Sequence, residues 1–427
     1  MSSKLRWNMA VLISAAIAIS YFDRQTLPVA IQAIQREIPI SNTQFSQLQA
    51  AFLMAYALMY AGGGKLVDIL GTRQGFLLIM AFWSLACASH GLAAGFGMLA
   101  ASRFLLGIGE GGGFPAATKA VAEWFPARER AMAMGIINAG TAVGAVVAPP
   151  LIAWVIATLN WRWVFFLAGS MGLLWTFWWL RAYYPAATHK DLTESEREEI
   201  AEVLHARVLS EPAIPWLRLL GYKQVWGLVL GKFLSDSAWY FYLFWLPKYL
   251  YDARGFDTKQ VGYYAWIPYA ASGIGSLCGG WFSSRLLKTG HSLNFSRKMA
   301  LGLSAAVMPV AYFVTRTPVE LAIVLFSIAF FGQQSWSTLV MIVPTDLFPR
   351  SAVGSVAGMV GFGGAIGGVI FGLVVGYLLD HGYGYETVFA IVSTLHVLAF
   401  LVISLCIPEV KPLFERKGFE RKGETAV

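Results

Sequence analysis

Runs of about twenty mostly apolar residues recur along this chain about twelve times, and that repetition limits what it can fold into. The runs fall near 8–30, 44–66, 74–95, 97–122, 132–157, 162–183, 224–250, 259–284, 298–315, 319–344, 352–378 and 385–407. Each is long enough to cross a bilayer as a helix, which takes roughly 20 residues. Inside lipid, backbone N–H and C=O groups must find their partners within the segment, so a helix is the expected form of each run. Charged residues make up 13% of the chain and hydrophobic ones 57%. A soluble domain carries about 25% charged residues. These features predict an all-α membrane protein. Lys4 and Arg6 precede the first run, and Ala16-Ile17-Ala18 has the small-residue form of a signal-peptide cleavage site. The apolar run continues past Asp23 and Arg24 and further spans follow, so the segment reads as a first span.

The net charge of +8 would suggest nucleic acid as a partner in a soluble protein. Here the basic residues cluster in alternate loops. One set holds Lys4, Arg6, Lys65, Arg73, Arg128, Arg130, the stretch 189–223, Arg285, Lys288, Arg297, Lys298, Arg350 and the tail 411–422. The poorer set holds Arg36, Arg162, Lys248, Arg254, Lys259 and Arg316. The positive-inside rule therefore predicts a multi-pass protein of the inner (plasma) membrane with both termini in the cytoplasm, a bilayer rather than nucleic acid as its surroundings. Cys87, Cys278 and Cys406 lie in separate spans without metal spacing and read as small buried side chains. The sequence shows no phosphate-binding glycine loop followed by Lys-Ser/Thr, no His-Glu-x-x-His and no metal cluster. The expectation is no enzyme, no metal and no cofactor. His90, His189, His205, His291, His381 and His396 receive no role.

The chain also repeats itself. Glu123-Trp-Phe-Pro-Ala-Arg128 is followed by Gly135, Gly140 and Gly144; Asp346-Leu-Phe-Pro-Arg350 is followed by Gly358, Gly363 and Gly367. Each matched residue lies 223 positions from its mate. Two pseudo-symmetric six-helix halves in the same orientation explain that register, with a solute site between them at the membrane midplane. The expected units are an N-terminal half (1–183), a cytoplasmic linker (184–223), a C-terminal half (224–408) and a cytoplasmic tail (409–427). In the linker, Thr193-Glu-Ser-Glu196 has the form of a capping box, and Ile200, Val203 and Leu204 recur at helical spacing, which predicts a short amphipathic helix. The repeated glycines let helices approach closely in lipid.

Charge sits where a bilayer disfavours it. Tyr21-Phe-Asp23-Arg24 lies inside the first span, and Arg103 and Glu110 inside the fourth. An ionised side chain at mid-membrane costs roughly 2.5–3.5 kcal/mol on insertion scales, so such residues mark solute or proton sites. Arg103 and Glu110 are seven residues apart, so they share a helix face at a separation of about 10 Å. Asp23 and Arg24 point about 100° apart, so one can face a cavity while the other meets a neighbouring helix. An arginine fork suits a carboxylate, and a buried carboxyl suits a proton. Arg24 is thus the better candidate for a solute carboxylate, Asp23 and Glu110 for protons. Tyr56, in the second span, adds a phenol that can meet a hydroxyl. In the seventh span Lys232 and Asp236 are spaced to pair with each other, beside Trp239 and Tyr240. Gln333-Gln334-Ser-Trp336-Ser-Thr338 interrupts the tenth span with groups that suit a polyol.

The stretch Gly64-Lys-Leu-Val-Asp68-Ile-Leu-Gly71-Thr-Arg73 resembles the signature loop of the major facilitator superfamily, with Gly64, Leu66, Asp68, Gly71 and Arg73 matching. Its acid can latch onto a neighbouring helix end or base and bias one access state. In the second half, Ser284 stands in the acid's place, so the latch is expected mainly in the first half. Arg103-Phe-Leu-Leu-Gly107 matches the same superfamily's fourth-span motif. Tyr21-x-Asp23-Arg24, Tyr56, Arg103 and Glu110 narrow the resemblance to its anion:cation symporters, and within them to hexuronate and aldonate (galactonate-type) proton symporters. Further matches are the stretch 123–130, Ala148-Pro-Pro-Leu151, Ser237-Ala-Trp239 and Ser296-Arg-Lys-Met299. The resemblance implies the major facilitator fold and a proton-coupled symporter that imports a sugar acid by alternating access, working as a monomer. It implies proton sites at Asp23 and Glu110 and sugar-acid contacts at Tyr21, Arg24, Tyr56 and Arg103. A glutamine that contacts sugar in the relatives' fifth span corresponds to Thr141 here, with Asn138 one turn away. Asn138, Trp239, Tyr240, Gln334 and Trp336 complete the candidate solute site. Alternatives are a transporter of another small carboxylate, aromatic or dicarboxylic, and a solute sensor that does not transport.

Overall fold

The apolar runs form helices whose ends are capped where polar residues interrupt them. A computed structural model of the chain describes residues 4–125, 127–186 and 215–413, and among these residues the regular structure is helical throughout. The expected linker helix over 193–204 lies outside the described residues. The helices are α1 (Lys4–Gln35), α2 (Asn42–Ser89), α3 (Phe96–Gly111), α4 (Gly113–Trp124), α5 (Ala127–Thr158), α6 (Trp161–Ala182), α7 (Lys223–Arg254), α8 (Thr258–Tyr264), α9 (Trp266–Lys288), α10 (Leu293–Ala306), α11 (Val319–Leu347), α12 (Arg350–Asp380) and α13 (Gly384–Cys406). Ser41 caps α2 through a reciprocal box with Gln44, and Asp257 caps α8 in the same way with Gln260.

Eight segments of the described helices are long and apolar enough to cross a membrane. The remaining spans are diluted by polar groups or interrupted. The fourth breaks at Gly112 into α3 and α4, and the eighth at Ala265 into α8 and α9. The ninth ends in a 3-10 helix, Met308–Arg316, whose early Pro309 lacks the N–H that an α-helical ladder needs. The turn expected within 64–73 narrows to one residue: α2 is two helices, the second and third spans, that meet at a kink at Gly71, which leaves helical geometry at φ 76° and ψ 157°. A left-handed φ of that size is open to glycine and strains other residues. Trp154, Leu174, Leu277 and Leu405 point out of the bundle, and an apolar exterior of this kind belongs in lipid.

The sequence repeat is a packing repeat. A Cβ on Gly140 would meet the Ser14 carbonyl oxygen at 2.3 Å, and one on Gly144 the Ala18 carbonyl oxygen at 2.1 Å, so α5 lies directly on α1. In the second half, Gly363 packs on Val229 and Gly367 on Phe233, which lays α12 on α7. The partners Ser14 and Val229, like Ala18 and Phe233, are each 215 residues apart. Small residues are doing the same job at matching places in both halves.

The two sets of helices meet through α1 with α7, α2 with α12, and α5 with α8 and α9. The hydrogen bonds across this seam lie toward the end of the bundle where α1 finishes and α2 begins, which we call distal to the termini. Tyr251 Oη donates to the Val29 carbonyl at 2.6 Å, and Gln25 Nε2 to the Leu243 carbonyl at 3.2 Å. Tyr269 Oη meets both Gln25 Oε1 and the Leu243 carbonyl at 3.0 Å. The backbone N–H groups of Asn42 and Thr43 donate to the Asp380 carboxylate at 3.0 and 2.7 Å, so an acid on α12 sits on the positive N-terminus of α2.

Candidate functional site

Helical spacing on α1 builds the first part of the site. Ser20 and Arg24 are four residues apart and therefore share a face. Both donate to one oxygen of Glu110 on α3: Ser20 Oγ to Oε2 at 2.7 Å, and Arg24 Nε to Oε2 at 2.8 Å. All three residues are buried. Arg24 is also held over aromatic faces, 4.7 Å from the Tyr21 ring centroid and 4.6 Å from that of Tyr56. A guanidinium over aromatic faces gains cation–π attraction while its fork stays available for planar acceptors.

Arg103, on the same helix as Glu110, reaches across to α2: its Nη2 donates to Gln49 Oε1 at 3.1 Å. Its guanidinium stands 5.5 Å from the Phe52 ring centroid, the same distance as Arg24, so one ring serves both cations. Asp23 is fully buried and neither of its oxygens accepts a hydrogen bond from nitrogen or oxygen; the Cys87 thiol is its neighbour. Glu110 Oε1, Arg103 Nε and Nη1, and Gln49 Nε2 are likewise buried without such partners. Buried polar atoms are rarely left unsatisfied, and a cluster of them on acids and bases marks a place where a ligand or proton completes the set.

The second half faces this cluster with α7. Tyr240 stacks on Phe244 and packs against Gly368 of α12, and Phe244 in turn meets Phe52, the ring beside Arg24, edge-on at 6.2 Å between centroids. Lys232 and Asp236 pair as their spacing predicts, at 2.8 Å. Trp239 packs edge-on against Phe330. Of the tenth-span residues, Trp336 is wholly buried, edge-on to His396, and its indole N–H has no acceptor. Gln334 is half-buried, while its neighbour Gln333 is fully buried and bonds His396 Nε2. Asn138 is exposed on α5, and Thr141 Oγ1 donates to its carbonyl at 2.8 Å. The structure thus gathers Tyr21, Arg24, Tyr56 and Glu110 tightly and connects Tyr240 to them through the Phe244 and Phe52 rings. Arg103 and Asp23 lie just behind, and Asn138 and Gln334 make no side-chain hydrogen bond that would fix them in the cluster. Ser20, Gln49, Phe52 and Cys87 are members that sequence reasoning missed. Ser20 was open to discovery, one helical turn before Arg24; the others carry no local signal.

The signature stretch behaves as a helix-end brace. Asp68 pairs with Lys119 of α4 at 2.9 Å, and Arg73 donates to the Leu180 carbonyl at 2.6 Å and lies over the Tyr184 ring. Gly64 and Gly71 stand at its two ends, in the helix and at its turn. The repeated acids are tied down nearby. Glu123 accepts from Thr72 and Tyr183, and Asp346 from Arg297 at 2.7 Å.

The sequence pattern of the Major Facilitator Superfamily matches residues 13–370 and 292–427. The chain is 32% identical over 93% of its length to the hexuronate transporter of Escherichia coli (strain K12), covering 93% of that protein. It is 31% identical over 95% of its length to the D-galactonate transporter of Escherichia coli O6:H1, covering 96% of it. The fold superposes, with a TM-score of 0.74 and 18% identity, on a bacterial homologue of the human lysosomal transporter Spinster in an inward-facing, occupied conformation. The match covers 96% of this chain and 98% of that one. The chain belongs to the Major Facilitator Superfamily, as a multi-pass membrane transporter related to sugar-acid transporters.

Proposed function

We propose that this protein is a proton-coupled symporter that imports a sugar acid, a hexuronate or an aldonate, by alternating access. The observation that carries the reading is the buried pair of Arg24 and Glu110 at 2.8 Å, beside an Asp23 carboxyl with no hydrogen-bonding nitrogen or oxygen. A deprotonated Glu110 competes with a substrate carboxylate for Arg24. Protonation removes the competitor and frees the fork, so proton binding and anion binding favour each other. Asp23 serves as the second proton site beside Arg103. Tyr21, Tyr56 and Tyr240 meet hydroxyls, with Asn138, Trp239, Gln334 and Trp336 recruited as the halves rock. The Gly64–Arg73 stretch acts as the gate brace through Asp68 and Lys119. In this reading the chain acts as a monomer in the inner membrane, with both termini in the cytoplasm and residues 184–223 as the link between halves. Protons enter from the outer side, and the higher cytoplasmic pH removes them after release of the solute.

The test is uptake of radiolabelled glucuronate, galacturonate and galactonate into proteoliposomes under an imposed inward proton gradient. Wild type should accumulate at least one of them, and a protonophore should abolish accumulation. Glu110→Gln mimics the protonated state, so it should keep binding and exchange but lose gradient-driven accumulation. Undiminished uphill uptake by that variant overturns the role of Glu110. No uptake of any of the three acids by the wild type overturns the substrate class.

A further inference from the structure

Among the buried cations that the proton and anion chemistry above leaves unused, Lys232 is the one that shares a helix face with Tyr240. Lys232 lies on α7, the helix of the seventh expected span, with 7% of its surface exposed. Its Nζ donates to Asp236 Oδ1 at 2.8 Å and to Ser337 Oγ on α11 at 2.9 Å. Stability does not explain the pair. Two charges within a bilayer are costly to place there, and an i,i+4 pair within a single helix returns little. Apolar residues of the same volume often serve a buried position as well or better.

Geometry supplies a reason to keep it. Lys232, Asp236 and Tyr240 recur every four residues and so share one face of α7. The same face continues to Phe244, on which Tyr240 stacks and which meets Phe52 of α2 edge-on at 6.2 Å between ring centroids, the ring beside which the Arg24 guanidinium stands. Tyr240 and Leu53 of α2 both border Gly368. The face is therefore turned toward the arginine site of the first half. By pairing with Asp236, the ammonium sits about one helical turn closer to Tyr240 than its own α-carbon does. Space is reserved for the pair: a Cβ on Gly364 of α12 would stand 2.2 Å from Asp236 Oδ2 and 3.0 Å from the Lys232 side chain. An ammonium has three donors, and two are engaged within the protein, which leaves one for a ligand.

We infer that Lys232 forms a second anion subsite that takes the far acidic group of a six-carbon diacid whose first carboxylate rests on Arg24. The inference rests on the transport reading above and extends it from monoacids to diacids. Asp236 keeps the ammonium neutralised in the empty site and yields it when the second carboxylate arrives. A lysine is suited to this exchange, because its flexible stem can swing a point charge between two acceptors. Ser337 holds the ammonium in register during the swap.

The experiment compares glucarate with glucuronate, which share a six-carbon chain and differ by the second carboxylate. Binding to the purified full chain is measured by titration calorimetry. Wild type should bind glucarate more tightly than glucuronate. Lys232→Gln combined with Asp236→Asn replaces the ion pair by two amides and leaves no bare charge. It should lower the ratio of glucarate to glucuronate affinity about tenfold, the scale of a lost charge-assisted hydrogen bond. Asp236→Asn alone removes the competitor and should raise that ratio, an effect that a folding defect cannot imitate. Equal loss for both acids, or a ratio unchanged in all variants, overturns the subsite. A wild type that binds glucuronate with no preference for glucarate overturns the subsite and leaves the transport reading standing. A wild type that binds neither overturns both.

Discussion

Arg24 and Glu110 meet across two helices, α1 and α3, whereas Lys232 and Asp236 meet within one, α7. A pair that bridges helices reports their relative position, because any shift of α1 against α3 stretches it. Its protonation is therefore tied to motion. A pair within one helix travels as a unit and can exchange partners without sensing movement. The unsatisfied atoms around the two pairs differ as well. Around Arg24 and Glu110 they are mostly on acids and bases, Asp23, Glu110 Oε1, and Arg103 Nε and Nη1, with the amide Gln49 Nε2 among them. In the second half they include Trp336 Nε1 and Tyr242 Oη, neither of which is an acid or base at neutral pH. The site in the first half is thus equipped for charge and protons, and the face opposite it on α7 for shape and hydroxyls, with Lys232 held at its end.

The largest effect should come from breaking the bridging pair. Arg24→Ala removes the cation and leaves Glu110 facing Asp23 without it. Removing one partner of a buried ion pair costs about 3–5 kcal/mol, so both stability and solute binding should fall. The expected outcome is initial uptake reduced by about a hundredfold or more, since each 1.4 kcal/mol is tenfold in binding. Arg24→Lys restores the charge but not the planar fork, and should recover only part of the rate. Full recovery with lysine would show that charge alone, not the fork, is used.

Next come the glycines that seat each pair. A Cβ at residue 144 would press on the Ala18 carbonyl oxygen at 2.1 Å and on the Tyr21 Cβ at 3.0 Å. Backbone cannot rotate away, so Gly144→Ala should push α5 off α1 and cost about 1–3 kcal/mol, as overpacking does. A Cβ at residue 364 would meet the Asp236 carboxylate, the mobile end of a side chain. Gly364→Ala should therefore cost about 1 kcal/mol, the scale of an off-rotamer torsion. Unfolding temperatures of the detergent-solubilised proteins test the ranking. A reversed order would mean that the second-half pair, not the first, is the rigid one.

Much of this fold was legible because hydrophobic length and glycine spacing are local. The first, sixth and seventh spans are read nearly to their ends, and Gly140 and Gly144 announce a close helix contact whose mates recur at Gly363 and Gly367. The helical breaks were less legible. Gly112 and Ala265 interrupt apolar runs whose hydrophobicity continues across them, and Gly71 turns a chain that stays helical on both sides. In the site, the residue types were legible and the partnerships were not. Spacing relates Arg103 to Glu110 on one helix, but the contact of α1 with α3 hands Glu110 to Arg24. Gln49 takes Arg103 and Gln333 takes His396 from 54 and 63 residues away, and no local pattern encodes such pairs.

The smallest effect belongs to an exposed pair, which serves as the control for the buried ones. Glu37, beyond the end of α1, accepts from Arg162 and from the Trp161 indole N–H. Those bonds, the one from Arg162 foremost, hold its carboxyl below the usual value of 4.5. A carboxyl lowered by folding adds stability above its unfolded value and loses it as the pH falls through the folded one. Its contribution should therefore be intact at neutral pH and fade below about pH 4.5, the ordinary glutamate value. The pair is nearly half exposed on the acid's side and solvent screens it, so Glu37→Gln should cost less than about 1 kcal/mol. Thermal unfolding at neutral and acid pH measures this: wild type and Glu37→Gln should differ slightly at pH 7 and converge as the pH falls toward 3. A loss as large as that of Arg24→Ala would mean that partner geometry, and not burial, sets the worth of an ion pair in this molecule.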